Sequence, residues 1–254
     1  GHTVNLYYPV IFPFPGTSMG SRLYRLAYTL KNVFLGGRVP WDIQIKVKRI
    51  WRVADSSLPD ADIIIAGAWP SAFQIMPLKK SKGAKCYFIQ HYEEWDGHKK
   101  MVDAAWKLPL HRIVIATWLQ QLGKEKFGVE STVIPNGIKL EDFSCPSKPV
   151  ARSVKRIGML MHPSQWKGTD DGLKACAIVH EKYPNMQFTF YGHFRDKRTP
   201  IWAEQKVNLG TQALHEYFCN LDIYVHPAHR EGWGLPILEA MASKTAVVIT
   251  DSLG

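Results

Sequence analysis

Two glutamates flank a glycine-rich turn near the end of the chain. Glu231 is followed by Gly-Trp-Gly-Leu-Pro-Ile-Leu and then by Glu239. Residues 222–227 just before it predict a short buried strand that ends at a proline. Pro236 can open a helix, because the N–H group it lacks has no partner in the first turn of a helix. The two carboxylates are therefore predicted to lie where a strand passes into a helix.

This position suits a phosphorylated ligand. Gly232 and Gly234 let the backbone approach closely, and the free N–H groups of a first helical turn carry partial positive charge. Glu231 and Glu239 can accept hydrogen bonds from sugar hydroxyls, whereas their charge repels phosphate. The alternative is that Glu239 only caps a helix start and that Glu231 lies on a solvated loop, since surface carboxylates are common.

The whole pattern from Glu231 to Glu239, followed by Ala-Met-Ala, resembles the retaining glycosyltransferases of family 4. The resemblance implies the GT-B fold, in which two Rossmann-like doubly wound α/β domains face each other across a cleft. It implies that Glu231 faces the donor sugar, that Glu239 holds the ribose of the nucleotide, and that the turn lies beside the diphosphate. The turn residues that would contact the donor are Gly232, Gly234, Leu235 and Pro236.

A lysine upstream carries a second part of the resemblance. Lys167 is followed by glycine, like the Lys-Gly pair with which the family binds the donor diphosphate, and an ammonium is a good point charge for phosphate. The family usually adds an arginine after a glycine at the preceding strand end, but residues 158–163 read Gly-Met-Leu-Met-His-Pro. Either His162 or a more distant residue such as Arg195 or Arg230 compensates, or diphosphate binding is weaker. The alternative for Lys167 is an exposed loop lysine.

A histidine in the first half of the chain is the third candidate for chemistry. His91 follows a predicted strand at residues 85–90, on the edge where open α/β sheets bind ligands. Many family members carry a histidine near this point that approaches the donor sugar. A hydrogen-bonded structural histidine is the alternative.

Pro135-Asn136-Gly137-Ile138 resembles the family's turn at the end of the first domain, where the backbone lines the cleft. The resemblance makes Asn136 and Gly137 donor-site candidates. A plain turn is the alternative, because Asn-Gly tolerates positive φ.

Asp60 and Asp62 have the Asp-x-Asp spacing with which metal-dependent glycosyltransferases of another fold hold manganese. We reject that interpretation, because the two residues lead into a predicted strand at its amino-terminal end and so lie away from the ligand edge. The family resembled needs no metal. No cofactor is therefore expected, and the nucleotide-diphosphate sugar is a substrate.

Apolar runs of strand length alternate with helix-length segments, which predicts doubly wound α/β domains. The run at residues 62–67 is typical of a parallel sheet covered on both faces. Predicted strands of the first half are 3–11, 43–47, 62–67, 85–90, 112–116 and 131–134. Predicted helices are 22–33, 70–78, 99–108 and 118–127.

The periodicity lapses after residue 139, where proline and serine accumulate, and this predicts a linker at residues 144–154. It divides an acceptor-side domain at 1–143 from a donor domain at 155–254. Against the family pattern, the first domain lacks its first strand and the second its last elements, so we expect a fragment. Predicted strands of the second half are 156–161, 186–191, 222–226 and 246–250. Predicted helices are 214–221 and 170–182, the latter with one face formed by Ala175, Ile178 and Val179.

The composition is that of a globular protein, with 254 residues, 46% hydrophobic and 21% charged. No apolar run approaches the roughly 18 to 20 residues that span a bilayer, and the first residues do not resemble a signal peptide, so we expect a cytoplasmic protein. The four cysteines form no Cys-x-x-Cys pair, which predicts free, mostly buried thiols rather than a zinc ribbon or a redox dithiol.

The net charge is +10. Two basic clusters in the first half fit an anionic lipid surface or an acidic acceptor, and they fit equally well a solvated basic face. Nucleic acid is the least favoured partner, because no recognition motif is present. The clusters comprise Lys46, Lys48, Arg49 and Arg52 in one, and Lys79, Lys80, Lys82 and Lys85 in the other.

These features predict transfer of a sugar from a nucleotide-diphosphate donor to an acceptor hydroxyl with retention of configuration, in polysaccharide or glycolipid synthesis. The expected partners are a nucleotide sugar and a carbohydrate or lipid-linked acceptor. Two alternatives stay open. One is a sugar-nucleotide-binding protein without turnover, and the other is an isomerase or phosphorylase of the same fold.

Overall fold

The computed structural model describes residues 2–9, 47–93, 98–145 and 153–252. These residues form two compact units, Gly1–Val133 and Ile134–Gly254. The predicted helix at 22–33 and nearly all of the predicted strand at 43–47 lie outside the described residues. The division between the units falls before the limit predicted at residue 143, and the functional domain limits stay a prediction.

The described residues of the first unit form two parallel sheets. Strands β1 (Leu6–Pro9) and β2 (Val47–Ile50) pair with each other. The second sheet has the order β3-β4-β5-β6. Because parallel neighbours need a crossover, a helix follows each of its first three strands. The strands are β3 (Ile63–Ala66), β4 (Ala84–Ile89), β5 (His111–Val114) and β6 (Thr132–Val133). The helices are α1 (Trp69–Ile75), α2 (Lys99–Trp106) and α3 (Thr117–Phe127).

The alternation of strands and helices predicted here is confirmed, with element ends shifted by a few residues. The prediction that β3 is covered on both faces is wrong. Ile63 and Ile65 are 58% and 57% exposed, while Ala66 is buried. The two exposed isoleucines are two residues apart and so lie on the same face of the strand, and this face is the unpacked one.

Helix α2 is fixed at both its side and its end. Trp106 is fully buried and its ring stacks on Phe127 with centroids 5.3 Å apart. Beyond the helix, the Arg112 guanidinium donates to the carbonyl oxygens of Trp106 and Leu108 at 2.6 and 2.5 Å. The Trp106 carbonyl belongs to the last turn of the helix, where carbonyls have no intrahelical partner, so Arg112 supplies a hydrogen bond that the helix end requires.

The second unit is one five-stranded parallel sheet with the order β11-β10-β7-β8-β9. The chain starts in central β7, moves outward through β8 and β9, and returns to place β10 on the other side of β7. The strand order therefore reverses between β7 and β10, which is where open α/β sheets form a crevice for ligands. The strands are β7 (Arg156–Leu160), β8 (Gln187–Gly192), β9 (Ala203–Val207), β10 (Ile223–His226) and β11 (Ala246–Ile249).

The described residues of this unit form the helices α4 (Leu140–Phe143), α5 (Thr169–Lys182), α6 (Thr211–Cys219) and α7 (Leu235–Ala242). Strand β9 was not predicted, because its sequence Ala-Glu-Gln-Lys-Val lacks an apolar alternation. Its buried side chain is polar: Gln205 donates to the Phe194 carbonyl and accepts from the Asp196 N–H. An edge strand can thus be held by one satisfied polar group.

Of the face predicted for α5, only Val179 is partly buried and packs against the core. Ala175 and Ile178 are exposed, Ile178 by 67%, whereas Gly172 and Cys176 are buried. A Cβ added at Gly172 would overlap the Met159 sulfur on β7. The helix therefore approaches the sheet through its smallest residue, which an apolar pattern does not reveal.

Helix α4 forms where the periodicity lapses, and tertiary contacts hold it. Phe143 is buried against Phe218, and the Ser243 hydroxyl donates to the Phe143 carbonyl at 3.0 Å.

Cys145 and Cys219 form a disulfide, so the prediction of free thiols is wrong for these two residues. It is confirmed for the other pair, since the buried residues Cys86 and Cys176 are free thiols. No helix within the described ranges is long and apolar enough to cross a membrane.

Candidate functional site

Two loops meet at the carboxyl edge of the second sheet, where the strand order reverses. The loop after β7 passes directly beneath Pro227, in the loop after β10. Gly168 has φ +65°, and a Cβ there would overlap the Pro227 carbonyl oxygen. The His229 N–H also donates to the Trp166 carbonyl at 2.9 Å. The two loops are therefore in direct backbone contact, at Gly168 with Pro227 and at Trp166 with His229. We call this contact the clasp, and it brings the side chains of the two loops together.

The clasp places Lys167 and Glu231 in direct contact, with Lys167 Nζ 2.5 Å from Glu231 Oε1. The side chains are only 16% and 7% exposed. Lys167 Nζ also lies 4.4 Å from the centroid of the Trp166 ring, so the ammonium has an aromatic face as a second partner. A buried ion pair is maintained only when its geometry offsets the loss of water.

Glu231 has a further partner that the sequence did not indicate as functional. His226, 1% exposed at the end of β10, has Nε2 2.9 Å from Glu231 Oε1 and Nδ1 3.3 Å from the Tyr224 hydroxyl. Because both ring nitrogens are engaged, the imidazole is fixed in orientation. Tyr224 and His226 are two residues apart on β10, so both lie on its buried face. A histidine at such a buried strand position was the one sign in the sequence that His226 could contact the site.

The described residues contact Glu231 through one oxygen only. The Lys167 and His226 bonds both reach Oε1, and Oε2 accepts none within the described ranges. Burial alone would raise the pKa of Glu231, but the hydrogen bonds from His226 and Lys167 bring this pKa below its usual value. The carboxylate is thus ionised at neutral pH, and its Oε2 has no hydrogen-bond donor among the described residues.

Glu239 has the opposite electrostatic character. It lies in α7 beyond the first turn, where its backbone carbonyl accepts from the Ser243 N–H. Its carboxyl group makes no hydrogen bond or ion pair to a described residue. Burial raises its pKa to about 7. Near neutral pH its carboxyl is therefore protonated in an appreciable fraction of molecules, and this form can both donate and accept a hydrogen bond.

The glycine-rich turn starts α7 as predicted. Gly234 caps the helix with φ +77°, a value that glycine adopts readily, and Pro236 follows within the first turn. Gly232 is half-buried, and Leu235 is 37% exposed. Trp233, half-buried, has an indole N–H that is buried without an acceptor among the described residues.

His162 lies in the loop after β7 as a neutral group. Its Nδ1 accepts from the Ser164 N–H at 3.1 Å, which leaves the proton on Nε2. Burial, followed by the positive charges of Lys167 and His193, lowers the pKa of His162, against an opposing contribution from Glu231. His162 can therefore offer a ligand an N–H donor rather than a charge.

Arg198, which sequence reasoning did not single out, contacts the His162 loop through its guanidinium. Its guanidinium donates to the His162 carbonyl at 3.1 Å and pairs with Asp170 and Asp196 at 2.9 and 2.5 Å. Two carboxylates thus balance its charge. Arg198 holds the loop in place. Because its guanidinium is paired with two carboxylates, it is not available as a cation for a ligand.

The remaining predicted residues lie elsewhere. His91 follows β4 in the first unit, where Nδ1 is 3.1 Å from the Tyr92 carbonyl oxygen and the ring meets Trp118 edge-on. Asn136 and Gly137 lie between β6 and α4, and neither has the positive φ of the alternative turn. Their functional roles stay predictions. Asp60 accepts from Lys82 at 2.8 Å, which agrees with a structural carboxylate.

Comparison with known proteins defines the class. The chain shares its fold with solved GT-B glycosyltransferases. TarM superposes with a TM-score of 0.63 and 21% identity over 76% of this chain and 41% of TarM. Sucrose-phosphate synthase from Thermosynechococcus elongatus gives 0.61 and 16% over 75% of this chain and 56% of that one. The pneumococcal O-GlcNAc transferase GtfA, solved with UDP and GlcNAc, gives 0.55 and 16% over 76% and 42%.

The fold is therefore GT-B. Residues 152–254, which carry the Lys167–Glu231 pair, match the family model described as glycosyl transferases group 1. The chain spans less than two thirds of the length of the solved structures named above. No curated protein sequence matches it significantly.

Proposed function

We propose that this chain acts in a glycosyltransferase that moves a sugar from a nucleotide-diphosphate donor to an acceptor hydroxyl, with retention of configuration. The family of residues 152–254 supports sugar transfer in general. Two structures of the same fold were solved with UDP: a mutant of S. aureus TarM and the pneumococcal GtfA. The observation that carries the proposal for this chain is the buried Lys167–Glu231 pair at the point where the strand order reverses.

The pair supplies the two kinds of contact that a sugar diphosphate needs. Lys167 is a cation for the diphosphate, and the free Oε2 of Glu231 is an acceptor for a sugar hydroxyl. Negative charge grows on the diphosphate as the bond to the sugar breaks. Lys167 and the amino-terminal end of α7 would stabilise that charge, because both are fixed before the reaction.

The proposed reaction needs no nucleophile from the protein. The acceptor oxygen forms a bond to the anomeric carbon, and the bond from that carbon to the diphosphate oxygen breaks. The leaving diphosphate takes the proton of the acceptor hydroxyl on the same face of the sugar, which retains the configuration. Glu231 then positions the sugar and is not consumed.

Glu239 is proposed to hold the ribose. A carboxyl whose pKa is about 7 can donate to one hydroxyl oxygen and accept from the other hydroxyl. The N–H of His162 Nε2 is proposed as a contact for a phosphate oxygen. We also propose contacts to the donor from His91, Asn136 and Gly137. Only the family resemblance supports these contacts. No cofactor is proposed.

The acceptor is proposed to be a carbohydrate or a lipid-linked glycan, and the chain is proposed to act in the cytoplasm, with peripheral contact to an anionic membrane. The basic surface is smaller than its composition indicated. Lys82 is buried on Asp60, and Lys85 donates to the carbonyls of Met76 and Leu78. Lys79 and Lys80 are exposed and would make that contact.

The test is a calorimetric screen of UDP, GDP, ADP and dTDP sugars, followed by product analysis with added acceptors. We expect Glu239→Ala to weaken donor binding and Glu231→Ala chiefly to lower turnover. Unchanged donor affinity in the first variant, or full activity in the second, contradicts the assigned roles. Binding without transfer identifies a non-catalytic protein. Epimerised donor, or sugar phosphate formed only with added phosphate, identifies an isomerase or phosphorylase.

A further inference from the structure

A second cluster of reactive side chains lies apart from the Lys167–Glu231 pair, at the end of α6. The ligand atoms of Cys145, His215 and Cys219 lie within 4.8 Å of one another. The Cys145 sulfur is 4.0 Å from His215 Nε2, and the Cα atoms of the two cysteines are 5.8 Å apart. Two sulfurs and one imidazole nitrogen thus converge on one point.

We propose that, when the Cys145–Cys219 disulfide is reduced, these two thiolates and His215 Nε2 bind one Zn²⁺ ion. Thiolate and imidazole are the ligands that zinc prefers, and three protein ligands leave the fourth tetrahedral position to water. The exchange balances: a dithiol reductant supplies two electrons, the S–S bond breaks, and the two thiols release their protons on binding the metal.

The surroundings favour a cation at this point. Cys219 is the last residue of α6, where the helix presents its negative end. His215 is oriented by its ring, which packs edge-on against Phe143. Its Nε2 lies 3.2 Å from the Ser144 carbonyl oxygen and donates to it, so zinc binding replaces this hydrogen bond and leaves the ring proton on Nδ1. Only a local widening of the sulfur separation is required, since the backbone separation of 5.8 Å also fits two thiolates on one metal.

The site has a structural consequence. Cys145 follows α4, and Cys219 ends α6, so either the disulfide or the metal ties the segment that enters the second unit to the body of that unit. The two states are mutually exclusive, because a sulfur in a disulfide is not a thiolate ligand. Oxidation by a disulfide oxidant or a peroxide would therefore release the zinc.

The test uses the full chain, reduced with a phosphine and then titrated with Zn²⁺ against a chromogenic chelator, with Co²⁺ as a spectroscopic substitute. We expect one Zn²⁺ per reduced chain, a thiolate-to-cobalt charge-transfer band, and no binding by the oxidised chain. His215→Ala and Cys219→Ser should each weaken binding by about tenfold or more.

Matched controls keep the result interpretable. Cys176→Ser removes a thiol outside the cluster, whose pKa burial raises to about 11, and His111→Ala removes an exposed histidine of the first unit. Both should bind zinc as the native chain does. His215→Ala retains the disulfide, so its folding is checked by circular dichroism before reduction. No stoichiometric binding by the reduced chain, or equal affinity in the cluster variants and the controls, overturns the proposal.

Discussion

Glu231 and Glu239 are chemically alike and electrostatically opposite. Glu231 has two cationic or N–H partners on one oxygen, which keep it ionised. Glu239 is half-buried without a described partner, and its pKa rises to about 7. A pair of carboxylates whose environments push their pKa values apart can divide two tasks between them. Here the ionised member would hold the sugar, and the neutral member would hold the ribose.

The raised pKa of Glu239 predicts a pH dependence of stability. Between pH 4.5 and about 7 the unfolded chain releases this proton while the folded chain retains it, so the free energy of unfolding falls as pH rises through this window. Glu239→Gln removes the effect. At pH 8 we expect the variant to be more stable than the native chain by up to about 3 kcal/mol, and at pH 4 by little.

The measurement is urea unfolding at both pH values. Glu125→Gln, on an exposed helix position, is the matched control and should leave the pH dependence unchanged. A constant difference between Glu239→Gln and the native chain from pH 4 to pH 8 would contradict a raised carboxyl pKa at this position.

His226 is a positioning residue that acts through Glu231. Replacing it with leucine removes one hydrogen bond from a buried carboxylate, so turnover should fall by about tenfold or more. The sign of the pH effect follows from Glu231: its pKa is lowered by His226 and Lys167. Without His226 this pKa rises, and the acid limb of the pH–rate profile moves to higher pH.

His226→Gln is the conservative comparison, because its amide can still donate to Glu231. Transfer rates measured from pH 4 to pH 9 should place its acid limb close to that of the native chain. If the leucine and glutamine variants lose activity equally with no change in profile, the histidine has a packing role only.

At the scale of elements, the clasp between the β7 and β10 loops decides whether the ion pair can form. Its contact is made by backbone atoms, Gly168 against the Pro227 carbonyl, and therefore depends on the absence of a side chain. Helix α5 repeats the theme at Gly172, which faces the Met159 sulfur. The role of these two glycines is to let two elements approach closely, and not to make the chain flexible.

This arrangement predicts that Gly168→Ala destabilises the fold by roughly 2–5 kcal/mol, the sum of a left-handed φ penalty and an overlap with backbone. Gly128 has nearly the same φ, +66° against +65°, but no atom within 4 Å of an added Cβ. Gly128→Ala should therefore cost only about 1–2 kcal/mol. Chemical denaturation compares the two variants, and equal losses would show that the loops are not in contact.

At the scale of the whole molecule, the described contacts of the Lys167–Glu231 pair fall within the second unit. The segment entering this unit is held by α4, by the Ser243–Phe143 hydrogen bond and by the Cys145–Cys219 disulfide. The disulfide closes a loop whose ends are 74 residues apart, and such a link restricts the unfolded chain.

Reduction in the presence of a metal chelator is therefore expected to lower the stability of the second unit by about 2–4 kcal/mol. Thermal unfolding with and without reductant measures the loss. In the Cys145→Ser, Cys219→Ser double variant the reductant should have no effect, although Cys86 and Cys176 remain. A native chain that is insensitive to reductant contradicts a stabilising role for the link.

The sequence by itself determined the features that depend on neighbours along the chain. The alternation of strands and helices, the opening of α7 at Gly234, and the chemistry offered by Glu231 and Glu239 follow from residue type and short spacing. Apolar periodicity and turn chemistry act over a few residues, so a linear pattern contains them.

Only the tertiary structure decided which of these groups meet. Lys167 and Glu231 are 64 residues apart, and the strand order that makes β7 and β10 neighbours brings them together. The same long-range pairing buries Gly172 instead of Ile178 and joins Cys145 to Cys219. A contact between distant residues depends on the packing of whole elements, and the free energy of that packing is not encoded in any local pattern.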